Sequence, residues 1–121
     1  MEPFEFRDGD LLLSSDKELL DIELIHAYLS QSYWSPEITK EIVIKAIQHS
    51  LAFGLYKSGL QIGYCRLITD YATFAYLADV FIVEAEKAKG FGQFLMTNIR
   101  KHPELKGLRK WLLSTQDAHS L

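Results

Sequence analysis

Residues 80–93 read VFIVEAEKAKGFGQ, an apolar run followed by a polar segment that leads into two glycines. The apolar run Val80–Val83 is typical of the buried end of a strand, and the segment Glu84–Lys89 predicts a loop. Gly90 then opens a helix. The predicted buried face of this helix consists of Phe91, Phe94, Leu95 and Ile99. The stretch therefore predicts a strand, a loop and a helix in direct succession.

A junction of this kind is suited to binding a phosphate group. The N–H groups in the first turn of a helix lack partners within the helix and carry a partial positive charge. Gly90 and Gly92 allow the backbone to approach an anion closely, and Lys87 and Lys89 add positive charge at the same place. The stretch therefore predicts a phosphate-binding cradle.

Two common phosphate-binding motifs are excluded by single residues. A P-loop requires a lysine followed by serine or threonine after its second glycine, where this chain has Gln93. The dinucleotide-binding fingerprint requires a third small residue where Leu95 stands, and it follows the first strand of a βαβ unit. The cradle is therefore of a different type.

The rest of the chain predicts an α+β domain. The predicted elements are a strand or short hairpin over 4–13, a helix over 16–30, a helix starting at Ser35-Pro36-Glu37, a hairpin of strands 51–56 and 60–69, a strand over 73–83, the helix from Gly90 and a strand over 108–114. Asp117 is suited to cap one more helix. Strands joined by short turns pair antiparallel, and the helix before the last strand permits a parallel crossover. We therefore expect a mixed, mostly antiparallel sheet flanked by helices.

Composition narrows the class of protein. The chain has 121 residues, enough for one domain over residues 1–121, and its net charge of −3 argues against nucleic acid as a partner. No apolar run approaches the length that crosses a bilayer, and the N-terminus lacks a signal segment, so we expect a cytoplasmic protein without a membrane partner. The single cysteine, Cys65, excludes an internal disulfide framework, and the four histidines lack metal-ligand spacing, so no metal is expected.

The cradle resembles a motif of the GNAT superfamily of N-acetyltransferases. That motif is [Arg/Gln]-x-x-Gly-x-[Gly/Ala], and Lys87–Gly92 (KAKGFG) stands in its place, with lysine at the first position. Three further stretches resemble a small bacterial branch of the superfamily: Ser32–Trp34, Phe74–Phe81 and Trp111–Thr115. The resemblance covers nearly the whole chain and implies the GNAT fold, with acetyl-CoA as cosubstrate.

The resemblance also implies a cofactor site, residue by residue. The implied cofactor-binding residues are Val80, Phe81 and Ile82, whose main chain would pair with the pantetheine arm, and Lys87, Ala88, Lys89, Gly90, Phe91, Gly92 and Gln93 in the cradle. In the family, this strand and the later one, here near Lys110–Ser114, splay apart to admit the cofactor. A main-chain N–H near Phe81 would polarise the acetyl carbonyl.

Candidates for the acceptor side each have two interpretations. Asp79, inside a mostly apolar strand, is a candidate general base or a hydrogen-bonded structural acid. Tyr33 and Trp34 would wall an acceptor pocket or pack in the core of their linker. Cys65 fits a buried thiol better than a nucleophile. The resemblance would place His119 on the substrate side of the family's cleft.

The implied function is transfer of an acetyl group from acetyl-CoA to a primary amine, by direct attack within a ternary complex. The family continues with a tyrosine-containing helix and a final strand beyond the point where this chain reaches Asp117–Leu121, so we expect the C-terminal helix and strand to be truncated. An open sheet edge would let two copies form a homodimer that shares strands. The alternatives are a non-catalytic CoA-binding or assembly module with an incomplete site, and a small interaction domain without a ligand.

Overall fold

The computed structural model describes residues 2–113 and forms one six-stranded sheet. Its strands are β1 (Glu5–Asp8), β2 (Leu11–Ser14), β3 (Leu51–Lys57), β4 (Leu60–Thr69), β5 (Phe74–Ile82) and β6 (Lys110–Leu113). They lie side by side in chain order; the first four neighbouring pairs are antiparallel, and β5 and β6 are parallel. The expected α+β class with a mixed, mostly antiparallel sheet is confirmed.

Three α-helices cover the two faces of the sheet: α1 (Ile22–Ser30), α2 (Lys40–Gln48) and α3 (Phe91–Asn98). On one face, Ile25 of α1 and Val43 of α2 pack in a cluster with Tyr64 and Phe81 of the sheet. On the other face, Leu95 of α3 packs in the larger cluster. Each strand of the sheet centre therefore has both faces buried, as the long apolar runs predict.

The predicted starts of the first two helices are both wrong, and each helix starts later in the chain than expected. The helix expected over 16–30 is broken, because Leu20 is extended and the Asp21 side chain accepts a hydrogen bond from the N–H of Leu24, which starts α1 there. The helix expected at Ser35-Pro36-Glu37 starts later, at Lys40. Thr39 caps it by accepting from the N–H of Ile42 at 3.3 Å.

The remaining elements agree with the expectations. The first predicted strand region is a hairpin that turns at Gly9, and β3 and β4 form the expected hairpin through Gly59. The parallel crossover through α3 is also present. The predicted strand residue Ser114 and the predicted cap Asp117 lie outside the described residues.

A β-bulge interrupts β5 where it pairs with β4. Arg66 lies opposite Ala78 and Tyr64 opposite Phe81, so Cys65 faces two residues of β5. One of these two, Asp79, has a left-handed backbone with φ of 56°. Such a bulge bends the strand and redirects the groups that follow it, here residues 80–82.

Candidate functional site

A cavity of about 340 Å³ lies where β5 passes into α3. Its lining residues are Ile82, Glu86, Lys87, Ala88, Gly90, Phe91, Gly92, Gln93 and Met96. Every residue of the predicted cradle except Lys89 is in this set. The structure therefore gathers the predicted phosphate-binding segment around one hollow.

Within the cradle, the N–H of Lys87 donates to the carbonyl of Glu84 at 3.3 Å, and the N–H groups that follow it differ. The first hydrogen bond of α3 runs from the N–H of Phe94 to the carbonyl of Gly90, at 3.0 Å. Among the described residues, no acceptor is found for the N–H groups of residues 88–93. Six consecutive donors at the positive end of a helix, beside a cavity, are suited to binding a diphosphate.

Gly90 adopts a conformation that few other residues tolerate. Its φ is 87°, and a Cβ added to it would meet no atom within 4 Å. The requirement for glycine at this position therefore comes from the backbone conformation and not from crowding. Ala88, two residues earlier, is also left-handed, with φ of 64°, which places two uncommon backbone conformations in one loop.

The lysines of the cradle are paired with acids of the same loop. Lys87 lies 3.0 Å from Glu84, and Lys89 lies 3.2 Å from Glu86. The hydrogen bond from Lys89 lowers the pKa of Glu86, and the one to Glu84 raises the pKa of Lys87. Glu86 also binds Lys57 of β3 at 3.3 Å. The sequence did not predict Lys57, which comes from a distant part of the chain.

Tyr28 of α1 is a second residue that the sequence analysis missed. Its hydroxyl donates to the carbonyl of Ile82 at 3.1 Å, and its ring stacks on Phe81 at 4.2 Å between centroids. Lys87 Nζ lies 5.9 Å from the centre of the same ring. Tyr28 thus joins α1 to the strand end and to the loop lysine. Its position in a helical pattern predicted burial and gave no signal for this contact.

The outer edge of β5 is suited to main-chain pairing with an extended ligand. The N–H of Val83 donates to Ile62 of β4 at 2.8 Å. Because main-chain groups alternate along a strand, those of Ile82 point away from β4. Within the described residues, β6 pairs with β5 only over Phe74–Leu77. In the part of the chain that the structure describes, the N–H of Ile82 therefore lies at an edge of β5 that is not paired with β6.

Asp79 is engaged by two side chains from other elements. The Nε–H of Arg66 donates to one carboxylate oxygen at 2.9 Å, and the indole N–H of Trp34 donates to the other at 3.1 Å. Asp79 is 8% exposed. This matches the interpretation of Asp79 as a hydrogen-bonded acid, while its role as a general base stays a prediction.

Tyr33 and Trp34 lie together in the segment between α1 and α2. Their rings meet edge to face at 5.1 Å, with Tyr33 58% exposed and Trp34 half-buried. The bond from Trp34 to Asp79 fixes this segment beside the bulge of β5. The structure therefore places Trp34 against the strand and Tyr33 beside Trp34, and the contact of either residue with an acceptor stays a prediction.

The other sequence candidates lie away from this site or outside the described residues. Cys65 is fully buried in the core, and burial raises the pKa of its thiol. Residues 2–113 contain no group of three acidic, histidine or cysteine side chains that could hold a metal ion. In the same residues, no helix has the length and apolar character needed to cross a membrane. His119 lies outside the described residues.

Comparisons with known proteins find relatives that share one family. A family model described as the acetyltransferase (GNAT) family matches residues 17–121. A crystal structure of a candidate GNAT-family acetyltransferase from Xanthomonas campestris pv. campestris is 46% identical, with a TM-score of 0.85, and the match covers 90% of this chain and 78% of that chain. A candidate acetyltransferase from Gibberella zeae is 30% identical over an alignment of 139 positions. The alignment covers 96% of this chain and 77% of that protein.

A more distant solved structure has a ligand in place. The N-acetylglutamate synthase of Neisseria gonorrhoeae, complexed with coenzyme A and N-acetyl-glutamate, has a TM-score of 0.68 and 15% identity. The match covers 93% of this chain and 27% of that chain. At this identity the likeness is one of fold.

Proposed function

This chain belongs to the GNAT family of acetyltransferases, and we propose that it transfers the acetyl group of acetyl-CoA to a primary amine. The observation that carries the proposal is the row of N–H groups at residues 88–93, which have no acceptor among the described residues and lie beside a cavity of about 340 Å³. Such a row matches the charge and size of the CoA diphosphate.

Different groups around the cavity would bind different parts of the cosubstrate. In our proposal, the amides of Ala88–Gln93 bind the diphosphate, and Lys57, Lys87 and Lys89 contribute positive charge. The N–H of Ile82 at the outer edge of β5 is suited to bind an amide of the pantetheine arm, as an added strand would. The carbonyl of Ile82 is already occupied by Tyr28, so we expect the arm to use the N–H of this residue.

The chemistry is direct attack of the amine on the thioester within a ternary complex. A bond forms between the amine nitrogen and the acetyl carbon, the carbon–sulfur bond breaks, the amine loses a proton, and CoA leaves as a thiolate that takes one up. A main-chain N–H of the strand segment 80–82 would stabilise the oxyanion that forms in between. The ammonium form of an alkylamine has a pKa of ~10.4, so removing its proton at neutral pH costs about 4–5 kcal/mol.

Two measurements test the proposal. Calorimetry and thermal denaturation with acetyl-CoA should show binding and a higher melting temperature, and the absence of both at millimolar ligand would contradict the proposal. Release of CoA in the presence of a panel of small amines, amino acids and peptides then tests turnover. Binding without turnover of any amine would favour the alternative, a non-catalytic CoA-binding module.

A further inference from the structure

Three side chains from three separate elements meet at the bulge of β5. Asp79 of the bulge accepts from Arg66 of β4 at 2.9 Å and from Trp34 of the segment between α1 and α2 at 3.1 Å. Arg66 also donates to the hydroxyl of Ser50, just before β3, at 3.0 Å. We refer to Trp34, Arg66 and Asp79 as the bulge cluster. It connects the predicted acceptor segment to the strand that is proposed to border the cofactor.

Both carboxylate oxygens of Asp79 already have a donor. One faces the guanidinium of Arg66 and the other faces the indole of Trp34, and the carboxylate-bearing side chain is 10% exposed. A general base must direct a lone pair at the proton that it removes, and one lone pair on each oxygen of this carboxylate is already engaged by a donor. The arrangement is instead that of a carboxylate that holds its neighbours in place.

The backbone at the same residue is uncommon. Asp79 has φ of 56°, a conformation that a residue other than glycine keeps only when its surroundings impose it. Burying an ion pair also contributes little to stability, because desolvation offsets the attraction. An uncommon backbone and a buried ion pair therefore coincide directly before Val80, the first residue of the segment proposed to bind the cofactor.

We propose that Asp79 is a positioning residue and that it is not the general base. Through Arg66 it fixes the bulge that orients the main chain of residues 80–82, and through Trp34 it fixes the segment that borders the acceptor. The inference rests on the proposed function, since the acceptor side is defined by that function. Removal of any one partner should misplace the acceptor against the thioester.

The first test compares substitutions in the bulge cluster with the best amine of the panel. Asp79→Asn keeps the size of the side chain and tolerates a positive φ, but it loses the charge. We expect kcat to fall on the order of tenfold, with the KM for acetyl-CoA and the acidic limb of the pH–rate profile retained. Arg66→Gln and Trp34→Phe should reproduce this result. Asp8→Asn, which removes an exposed carboxylate of the outer strand β1, serves as the control.

Two outcomes separate positioning from catalysis. The double variant Trp34→Phe/Asp79→Asn should lose less than the product of the two single losses, because both substitutions act on the same hydrogen bond. If the acidic limb of the pH–rate profile disappears in Asp79→Asn but is retained in Trp34→Phe and Arg66→Gln, Asp79 is the base and the inference is overturned.

The second test requires no acceptor. The chain has two tryptophans, so Trp34 is the sole indole fluorophore in a Trp111→Phe background. In that background, Asp79→Gly keeps the left-handed backbone accessible and removes the carboxylate. We expect a red shift of Trp34 emission and stronger quenching by acrylamide, and unchanged emission would overturn the inference. A failure of the unsubstituted protein to bind acetyl-CoA would instead count against the proposed function.

Discussion

Lys57, at the end of β3, and Glu86, in the cradle loop, form an ion pair of 3.3 Å at the edge of the cavity. Lys89 reaches the same carboxylate oxygen at 3.2 Å. Two cations therefore share one anion beside the proposed diphosphate site. An entering diphosphate competes with Glu86 for both lysines.

The first prediction follows from this competition. Glu86→Gln removes a negative charge beside the phosphates and frees two lysines, so we expect the affinity for CoA to rise roughly threefold at low salt and the gain to shrink at high salt. Lys57→Met should lower the affinity. Calorimetry with CoA measures both, with Glu104→Gln, an exposed residue that does not line the cavity, as the control. Weaker binding by Glu86→Gln would mean that Glu86 orders the loop.

The second prediction compares two glycines of similar backbone. Gly90 and Gly9 have φ of 87° and 62°, and a Cβ at either would meet no atom within 4 Å. Alanine at either position should cost about 1–2 kcal/mol of folding free energy, because left-handed backbone is unfavourable for it. Chemical denaturation should give similar losses for both variants. Only Gly90→Ala should also weaken CoA binding, and equal binding by both variants would contradict the cradle.

The third prediction concerns His102, which is 2% exposed and packs its ring against Phe4. Burial lowers the pKa of His102, although nearby Glu104 acts to raise it. The unfolded chain therefore binds a proton more readily than the native protein, and stability falls as the pH drops below about 6.5.

The variant His102→Asn tests whether protonation of His102 causes this loss of stability. The ring nitrogen Nδ1 of His102 accepts from the N–H of Glu104 at 3.0 Å, and asparagine can replace that acceptor. The variant should be less stable because it loses the packed ring, but its melting temperature should fall less between pH 7.5 and 5.5 than that of the unsubstituted protein. An identical slope would show that another group titrates.

The fourth prediction concerns the turn between β4 and β5. The Asp70 carboxylate accepts from the hydroxyl and N–H of Thr73 and from the N–H of Ala72, and these bonds hold the pKa of Asp70 well below its usual range. A lowered native pKa gives stability above the unfolded value of about 3.9, which is lost as the pH falls. Asp70→Ala should therefore melt lower at neutral pH, and the difference should narrow in acid, with Asp8→Ala as the control.

The sheet could be predicted because its signals are local. Alternating residues and the turn at Gly59 define β3 and β4 without reference to the rest of the chain. The start of α2 could not be predicted in this way, because Ser35-Pro36 and Thr39 both carry start signals. The bond from Trp34 to Asp79 is a long-range contact that fixes the segment before Thr39, and no local pattern reveals it.

The same division applies to the candidate site. The cradle is contiguous in sequence, so its glycines and lysines could be identified by spacing alone. Tyr28, Lys57 and Arg66 come from other elements, and the register of the sheet and the packing of α1 decide which groups they meet. Spacing in the sequence carries no such information. The bulge at Asp79 is likewise a property of two paired strands.

The agreement between chain order and sheet order bears on how the protein folds. The pairs β1–β2, β3–β4 and β4–β5 are hairpins with short loops. The entropic cost of bringing the two strands of each pair together is therefore small. The pair β5–β6 forms only after the chain has passed through α3, which makes it the slower kind of contact. We therefore expect the hairpins to nucleate folding and β6 to dock late, so that the edge beside the cradle is among the last parts of the molecule to assemble.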